Sequence, residues 1–582
     1  MIEDVHEPLA LYKNHFKEAH ARNTSEMFEG LLRQSGIDED ANIATIKQLR
    51  ELEQGISSEN STSKWWRILR GCILAALVFS FFYIYAKNYS LIWIIVPAGL
   101  FGIAIYKINQ LITEANSRLT NLKQQRNAKL DEAWQQMAPL NRLYQWDILA
   151  KLLEKTVPRI ALDPYFSNGR LDELRNNFGW SDQFNQGRSI VFSHSGVING
   201  NPFILAQTLE HWMGTKTYHG SRQISWTERI RDSKGKWTTV TRYQTLHASV
   251  ERPFPEYGNR SFIIYGNEAA PDLSFSRQPS GLSKLGDGMF SNWRKERAIK
   301  KLEVKSRNVE NGRGFTVMAN REFDATFGAT DRDHEVQFRL LFTPLAQQEM
   351  HKLLKDKEVG YGDDFRFIKS RMINLVEPAH MVSTEISAQP EKFYSYELAH
   401  ARRFFNDYHN HFFKSFFFGI APLLAIPLYQ QHRSHTDIYK GIYAKHSCFW
   451  EHETIANHFG EKEFQHPECI TRSLLKTRSK VAADNAQTIQ VTASGFKGID
   501  RTAVISVYGG DGRNHDVRVN WVEYIPVERD SHIVVHENKH LLAKDAESQS
   551  VNDQSWQALF KQRGVDLSKA VLRRSVISAV LP

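Results

Sequence analysis

The chain has 582 residues, 41% hydrophobic and 24% charged, with 74 Lys and Arg against 65 Asp and Glu for a net charge of +9. This composition excludes an intrinsically disordered chain and a polytopic transporter, and so small a positive excess leaves no nucleic-acid partner expected. Three cysteines (Cys72, Cys448 and Cys469) cannot build a disulfide framework and point to a reducing compartment.

Residues 1–63 read as N-terminal cytoplasmic helices, with Ile46, Leu49 and Leu52 three apart on one face. Two apolar runs follow within residues 64–110, one from Ile68 to Ala86 and one from Ser90 to Ile108. Each is about 19 residues long, against the roughly 20 that cross a bilayer core as helix. Arg70 and Lys107 lie near the ends of the runs, where long side chains reach the interface. Only Lys87, Asn88 and Tyr89 separate the two, so the spacing predicts an antiparallel transmembrane hairpin with both chain ends on one side.

Lys64, Arg67 and Arg70 before the hairpin, and Lys107, Arg118, Lys123 and Arg126 after it, outnumber the lone Lys87 in the loop. This bias puts the soluble mass in the cytoplasm, with the lipid bilayer of a cell inner membrane as the first partner. Trp65, Trp66 and Trp93 suit an interfacial belt. Residues 111–156 read as a helical stalk with a loose stripe of Leu111, Ala115, Leu119, Leu122, Leu130, Ala133 and Met137, which Pro139 ends or kinks. The stripe suits packing within the chain and also a homo-oligomer; its heptads are too few to read as a sustained coiled coil.

Residues 157–390 change to a mixed α+β pattern. A strand runs from Ser189 to Ile198, with Gly196 as a turn or bulge; alternation over 224–231 and 237–243 about a turn at 232–235 predicts a hairpin; residues 345–354 read as a helix started by Pro344. The segments FDATFGATD (323–331) and EVQFRLLFTP (335–344), then FRFIKSRMI (365–373), resemble a signature of an uncharacterised bacterial family of two-span membrane proteins. Members of that family carry a cytoplasmic α+β domain and are often encoded beside LemA-type membrane proteins. The resemblance, which covers about residues 40–390 in organisation, implies this topology and a LemA-type partner, and it implies no catalytic residue. Phe338 departs from the family's usual small residue. Asp331, Asp333 and Glu335 alternate like calcium ligands, but Val336 sits where such a loop needs glycine. Arg339 could pair with Asp331 or Glu335.

Residues 391–430 hold an aromatic-rich helix and then a short apolar stretch with Pro422 and Pro427. That stretch fits a buried or membrane-surface segment, with a third crossing near 412–429 as the competing topology. Histidines cluster there and beyond: His409, His411, His432, His435, His446, His452, His458 and His466. The pairs His446/Cys448 and His466/Cys469 are the one candidate metal set, with zinc as the ion, although the first pair is tighter than usual. His452 and His458 are six apart, not the four of a zinc-protease helix.

Residues 431–582 read as a second α+β region. Gly509–Gly512 between two alternating strands predicts a hairpin and not a phosphate loop, the basic run at 294–301 predicts a solvated face, and 555–562 and 568–577 have helical spacing. The fold class is therefore α+β: a helical stalk with a two-helix membrane hairpin, then two mixed antiparallel-sheet and helix units. No catalytic constellation appears, so the expected function is a membrane-anchored, non-enzymatic scaffold or interaction protein. A metal-dependent enzyme or sensor and an envelope or lipid-handling factor are the alternatives.

Overall fold

A computed structural model describes residues 6–86, 92–231, 235–283, 289–307, 315–430, 446–480, 486–537 and 555–581. The chain divides into two compact units, one of Met1–His20, Trp146–Ala388 and His411–Pro582, the other of Ala21–Gln145 and Gln389–Asn410.

The smaller unit is built on helices α1 (Lys17–Ser35), α2 (Glu39–Ala86) and α3 (Ile92–Asn141). Rising positions on α2 meet falling positions on α3: Gln136 Nε2 donates to Thr45 Oγ1 at 2.9 Å, Ser63 Oγ to Asn116 Oδ1 at 3.2 Å, and Arg70 Nη1 to Asn109 Oδ1 at 3.0 Å. The two helices are therefore antiparallel. From Leu49 on, a row of less exposed positions of α2 (Leu49, Leu52, Ile56, Glu59, Ser63, Trp66, Arg70, Ile73, Leu77 and Ser80) recurs at alternating spacings of three and four. That keeps one seam facing the partner helix. Pro139 lies in the last turn of α3 and ends it. At the open end of the pair Asn141 exchanges two hydrogen bonds with Ser395, and Asn42 bonds both Tyr396 O and Leu398 N.

Among the described residues, one helix is long and apolar enough to cross a membrane. It lies within Glu39–Phe82, has a mean hydropathy of 1.5 over its best window, and buries none of that window in protein. Ile68 and Cys72 are on this helix and exposed; the side chain of Ala86 and all of Ser90 lie outside what is described, so the second apolar run is represented by its later part, up to the buried Ile108 on α3.

In the larger unit a seven-stranded antiparallel sheet has the order β1-β2-β3-β4-β7-β6-β5, and a five-stranded one the order β11-β12-β10-β9-β8. The strands are β1 (Ile160–Leu162), β2 (Arg188–Ile198), β3 (Asn201–Arg231), β4 (Trp237–Gly266), β5 (Ser274–Arg277), β6 (Phe365–Ser370), β7 (Ile373–Pro378), β8 (Leu474–Lys480), β9 (Ala486–Tyr508), β10 (Asn514–Glu537), β11 (Val571–Arg573) and β12 (Val576–Val580). The β2–β3 turn is Asn199-Gly200, both at positive φ, the two-residue connection that Asn-Gly favours. Gly196, expected at a turn or bulge, is instead in mid-strand, where a Cβ would clash with the Ala161 carbonyl of β1. The β2 bulge falls between Ile190 and Phe192.

The longer helices of this unit in chain order are α4 (Ile148–Thr156), α5 (Asn168–Phe178), α6 (Met289–Arg307), α7 (Arg321–Phe327), α8 (Glu335–Leu341), α9 (Pro344–Lys355), the part of α10 (Leu398–Leu424) from His411 on, α11 (Phe449–Phe459) and α12 (Ser555–Gln562). As expected, α9 starts at Pro344, capped by Thr343. The basic run at 294–301 lies on α6, where Arg294, Arg297, Lys300 and Lys301 are exposed and Lys295 is turned toward Glu322.

The aromatic segment 412–426 is buried in protein: Phe416 stacks near Phe203 of β3, Phe413 and Phe417 meet Tyr12, and Gly419 lies against Ile263 and Met381. Its apolar surface is spent on the sheet and so is withdrawn from any lipid contact. That corrects both the third crossing and the membrane-surface reading. Residues 568–577, expected as helix, form the β11–β12 hairpin, because Arg574 takes φ +54 at the turn. Asp331 and Asp333 hold β5 by accepting from the amides of Ser276 and Ser274, which removes them from a calcium loop; Arg339 lies nearest Glu335, at 3.9 Å.

Candidate functional site

Helix α11 lies between the two sheets. Trp450 and Cys448 face the core of the first, with Phe166, Ile190 and Phe262, while Ile455 and Ala456 face the core of the second, with Leu475, Ile489 and Ile533. A helix covered all round is ordinarily apolar all round. This one carries Glu451, His452 and Glu453, all buried, so each must find its partners inside the protein.

Glu453 meets the bulge in β2. Its Oε2 accepts from Ile190 N at 3.0 Å, Lys476 Nζ lies 2.8 Å from Oε1, and Asn457 Nδ2 donates to Ile190 O at 2.8 Å. The helix thereby satisfies backbone groups that the bulge withdraws from the β2–β3 ladder. Burial raises the Glu453 pKa, against the pull of Lys476.

Glu451 accepts from Phe166 N at 3.0 Å and pairs with Arg573 and, at 3.7 Å, Arg574. Burial lowers the Arg573 pKa to about 10 even beside Glu451. Arg574 Nη2 donates to His194 Nδ1 at 2.9 Å, and His194 Nε2 donates to Ile386 O at 2.7 Å. Burial and Arg574 push the His194 pKa down, so this imidazole is neutral. Nearby, Arg170 forms a two-pronged pair with Asp163, 2.9 Å for each contact, and Ser195 Oγ donates to Asp163 Oδ2 at 2.7 Å.

At the start of α11, Ser447 Oγ lies 3.0 Å from His452 Nε2 and donates to Glu537 Oε1 at 2.6 Å; His446 Nδ1 is 3.1 Å from Glu537 Oε2. Burial alone would raise the Glu537 pKa, but bonds from Ser447 and His446 hold it below the usual carboxylate range. Burial pulls His452 down to about 4. A hydroxyl beside a neutral imidazole is the start of a nucleophile–base pair. Here the carboxylate binds the hydroxyl, whereas a triad needs it on the far imidazole nitrogen, and His452 Nδ1 has no partner among the described residues. Ser447, His452 and Glu537 are all buried. The arrangement suits a charge-compensated polar clamp between the two sheets.

The expected zinc set is divided. His446 and Cys448 lie at the start of α11, the first on Glu537 and the second donating its backbone N–H to Phe166 O at 2.9 Å; burial pushes the Cys448 thiol up. Cys469 lies against Gly495 and near Thr471 and Ser473, and His466 accepts from Glu468 N through Nδ1 at 3.1 Å. Gly495 pairs with Val527 on β10, whereas Glu537 ends that strand, roughly 30 Å away at 3.3 Å per residue. One ion cannot bridge that distance, so His446, Cys448, His466 and Cys469 do not form a common site. His432 and His435 lie outside the described residues. No group of three or more His, Cys, Asp or Glu among the described residues is placed to hold a metal.

A second acid–base pair joins His380 Nδ1 to Asp364 Oδ2 at 2.5 Å, with His380 Nε2 2.9 Å from Ser415 O and Tyr361 stacked on the imidazole at 3.7 Å. The cleft beside it, lined by Leu353, Tyr361, Asp364 and Phe418, has room for about one water molecule. The partners of these buried charges stand far apart in the chain, 122 positions for Glu451 and Arg573 and 90 for Ser447 and Glu537, and only the fold brings them together. The one local hint is the run of three ionisable residues, Glu451 to Glu453, set between Trp450 and the apolar Ile455 and Ala456. No protein-family model, curated protein or solved structure matches this chain.

Proposed function

We propose that the protein is a membrane-anchored, non-enzymatic scaffold or interaction protein, held by the α2–α3 pair as a two-span hairpin in the inner membrane with its soluble mass in the cytoplasm. The observation that carries this reading is the apolar outer surface of the pair. Ile68, Val78, Phe79 and Phe82 on α2 and Leu100 and Ile103 on α3 are exposed, Phe79 to 73% and Leu100 to 66%. So large a contiguous apolar surface has to meet lipid or a partner.

A polar collar bounds it. Arg67 and Arg70 of α2 bond Asn116 and Asn109 of α3. From the Arg70–Asn109 level each helix continues for about 25 Å toward the closed end at 1.5 Å per residue, against a hydrocarbon core of about 30 Å. The non-enzymatic part of the reading draws on the burial of Ser447, His452 and Glu537, whose groups are engaged with one another. The LemA-type partner implied by the sequence resemblance is the first interactor to seek by co-purification in mild detergent.

Thiol accessibility tests the anchor, because maleimide reacts with thiolate and no thiolate forms in hydrocarbon. In a Cys72→Ser, Cys469→Ser background, Ala76→Cys should resist a membrane-impermeant maleimide in intact and inverted vesicles and react once detergent is added. Ser57→Cys should react in inverted vesicles alone. Release of the chain by alkaline carbonate, or labelling of Ala76→Cys at the rate of Ser57→Cys, overturns the reading.

A further inference from the structure

Beyond the sheets, β3 and β4 continue as a two-stranded ribbon in unbroken register from Phe203↔Tyr265 to Arg231↔Trp237. The β9–β10 hairpin packs across one face of it. Ile224, Leu246 and Ala248 meet Val517 and Val519; Gly220 lies against the Arg518 carbonyl; Gly510 N donates to Gln244 Oε1 at 2.7 Å. Cover ends at that rung, where Gly509 and Gly510 touch Ile224 and Trp226. The last rungs, about 17 Å of ribbon at 3.3 Å per residue, are exposed or half-exposed throughout.

The two faces of this tip differ. On the covered side, Glu228 pairs with Arg242 at 3.2 Å. On the outward side, alternation places Arg229, Arg231, Trp237 and Tyr243, and every other position there is Ser or Thr. Among the described residues, no carboxylate stands on that face. Trp237 is 63% and Tyr243 68% exposed, and the Arg231 guanidinium sits over the Trp237 ring at 5.7 Å. A free two-stranded ribbon is marginally stable in water, so two large exposed aromatics at its end burden the free protein without adding to a core. Amphipathic rings beside guanidinium groups suit the headgroup layer of a bilayer, where the ring meets acyl chains and the cation meets phosphate.

The geometry points to an anionic lipid surface as the occupant of this ribbon tip, with Trp237 and Tyr243 in the headgroup layer and Arg229 and Arg231 on lipid phosphates. The inference rests on the membrane anchor proposed above, which makes a bilayer the surface the chain always has at hand. Anionic lipid attracts cations held near its surface, so the two outward arginines supply lipid selectivity and the rings supply depth.

The test uses the full chain in nanodiscs, with Thr239→Cys carrying an environment-sensitive NBD dye in a Cys72→Ser, Cys469→Ser background. Thr239 is on the outward face and is not itself a proposed contact. Discs of phosphatidylcholine with about 30% phosphatidylglycerol should give at least about a twofold rise in emission over neutral discs, and about 0.5 M salt should remove it. Trp237→Ala should reduce the rise by half or more, and Arg229→Glu with Arg231→Glu should abolish it.

Equal emission in the two kinds of disc overturns the proposal. So does an equal rise on adding single-stranded oligonucleotide to the chain in neutral detergent, which would assign the tip to nucleic acid. Whether the chain enters discs at all reports on the anchor separately, since that step does not depend on the ribbon.

Discussion

The α2–α3 pair and the two-sheet unit arrange polarity in opposite ways. The helical pair is apolar outside and partly polar within: Ser63, Arg70 and Asn116 lie along its seam while Phe79 and Leu100 point outward. The two-sheet unit encloses Glu451, Arg573, Asp163 and Arg170 among its most buried groups. In water the first arrangement costs apolar exposure, and in lipid it loses that cost and keeps its seam bonds. The second is tolerable where buried charges are matched, as Glu451 is by Arg573 and Asp163 by Arg170, and breaking a matched set is expensive whatever the set contributes overall. Each region is therefore consistent with a different surrounding medium. Their responses to substitution should differ in kind as well as in size.

The largest effect is expected at Glu451. Glu451→Ala leaves Arg573 and Arg574 buried without their carboxylate, at a cost of about 3–5 kcal/mol. Urea unfolding of the full chain in detergent, followed by tryptophan emission, should show the loss. Glu451→Leu combined with Arg573→Met should recover part of it, since both members of the closest pair then leave together. A double variant as unstable as Glu451→Ala would show that shape, and not charge balance, governs this core.

Acid sharpens the contrast next. His452 titrates near 4 in the folded chain because of burial, against about 6.5 when unfolded. Its folded pKa is depressed, so its contribution is complete above about pH 6.5 and falls as pH drops toward 4, by up to roughly 3 kcal/mol. His194, lowered by burial and by Arg574, acts in the same direction. Below this range Glu537, also depressed, withdraws its own contribution as it protonates. The two-sheet unit should lose stability between pH 6.5 and 4, and His452→Gln should flatten the slope. The helical seam between Leu49 and Ser80 holds no histidine, so helicity of α2 and α3 should persist over the same interval. A slope unchanged by His452→Gln would remove this residue from the explanation.

Local signals in the sequence carried much of the architecture. The antiparallel order of α2 and α3, the strand pairs on either side of 232–235 and of Gly509–Gly512, and the Pro344 helix start all follow from spacing and turn chemistry; the structure has the helix order, both strand pairs and the helix start, while residues 232–234 lie outside the described residues. Two local readings went astray for physical reasons. Gly196 is required by the close approach of β1, which no neighbour in sequence announces, and Arg574 adopts a left-handed turn that helical spacing concealed. The two His/Cys pairs are near along the chain but not in space, because the long β10 strand separates them. The buried charge network was illegible for the converse reason. Its members look like surface residues until two sheets close over α11.

The smallest effect belongs to the helical seam. Asn116 Oδ1 accepts from both Ser63 Oγ and Arg67 Nη2, at 3.2 Å each, at the edge of the apolar surface. Arg67 is exposed and can turn to water, and the buried Ser63 hydroxyl can turn to a carbonyl of its own helix, so Asn116→Ala should cost only about 0.5–1.5 kcal/mol and leave the acid response of the two-sheet unit unchanged. Thermal melts of helicity in detergent would read the difference. If the protein instead lost stability on the scale of Glu451→Ala, these bonds would be shut away from water as fully as those around α11, and the opposition between the two regions would fail at the collar that bounds the proposed membrane segment.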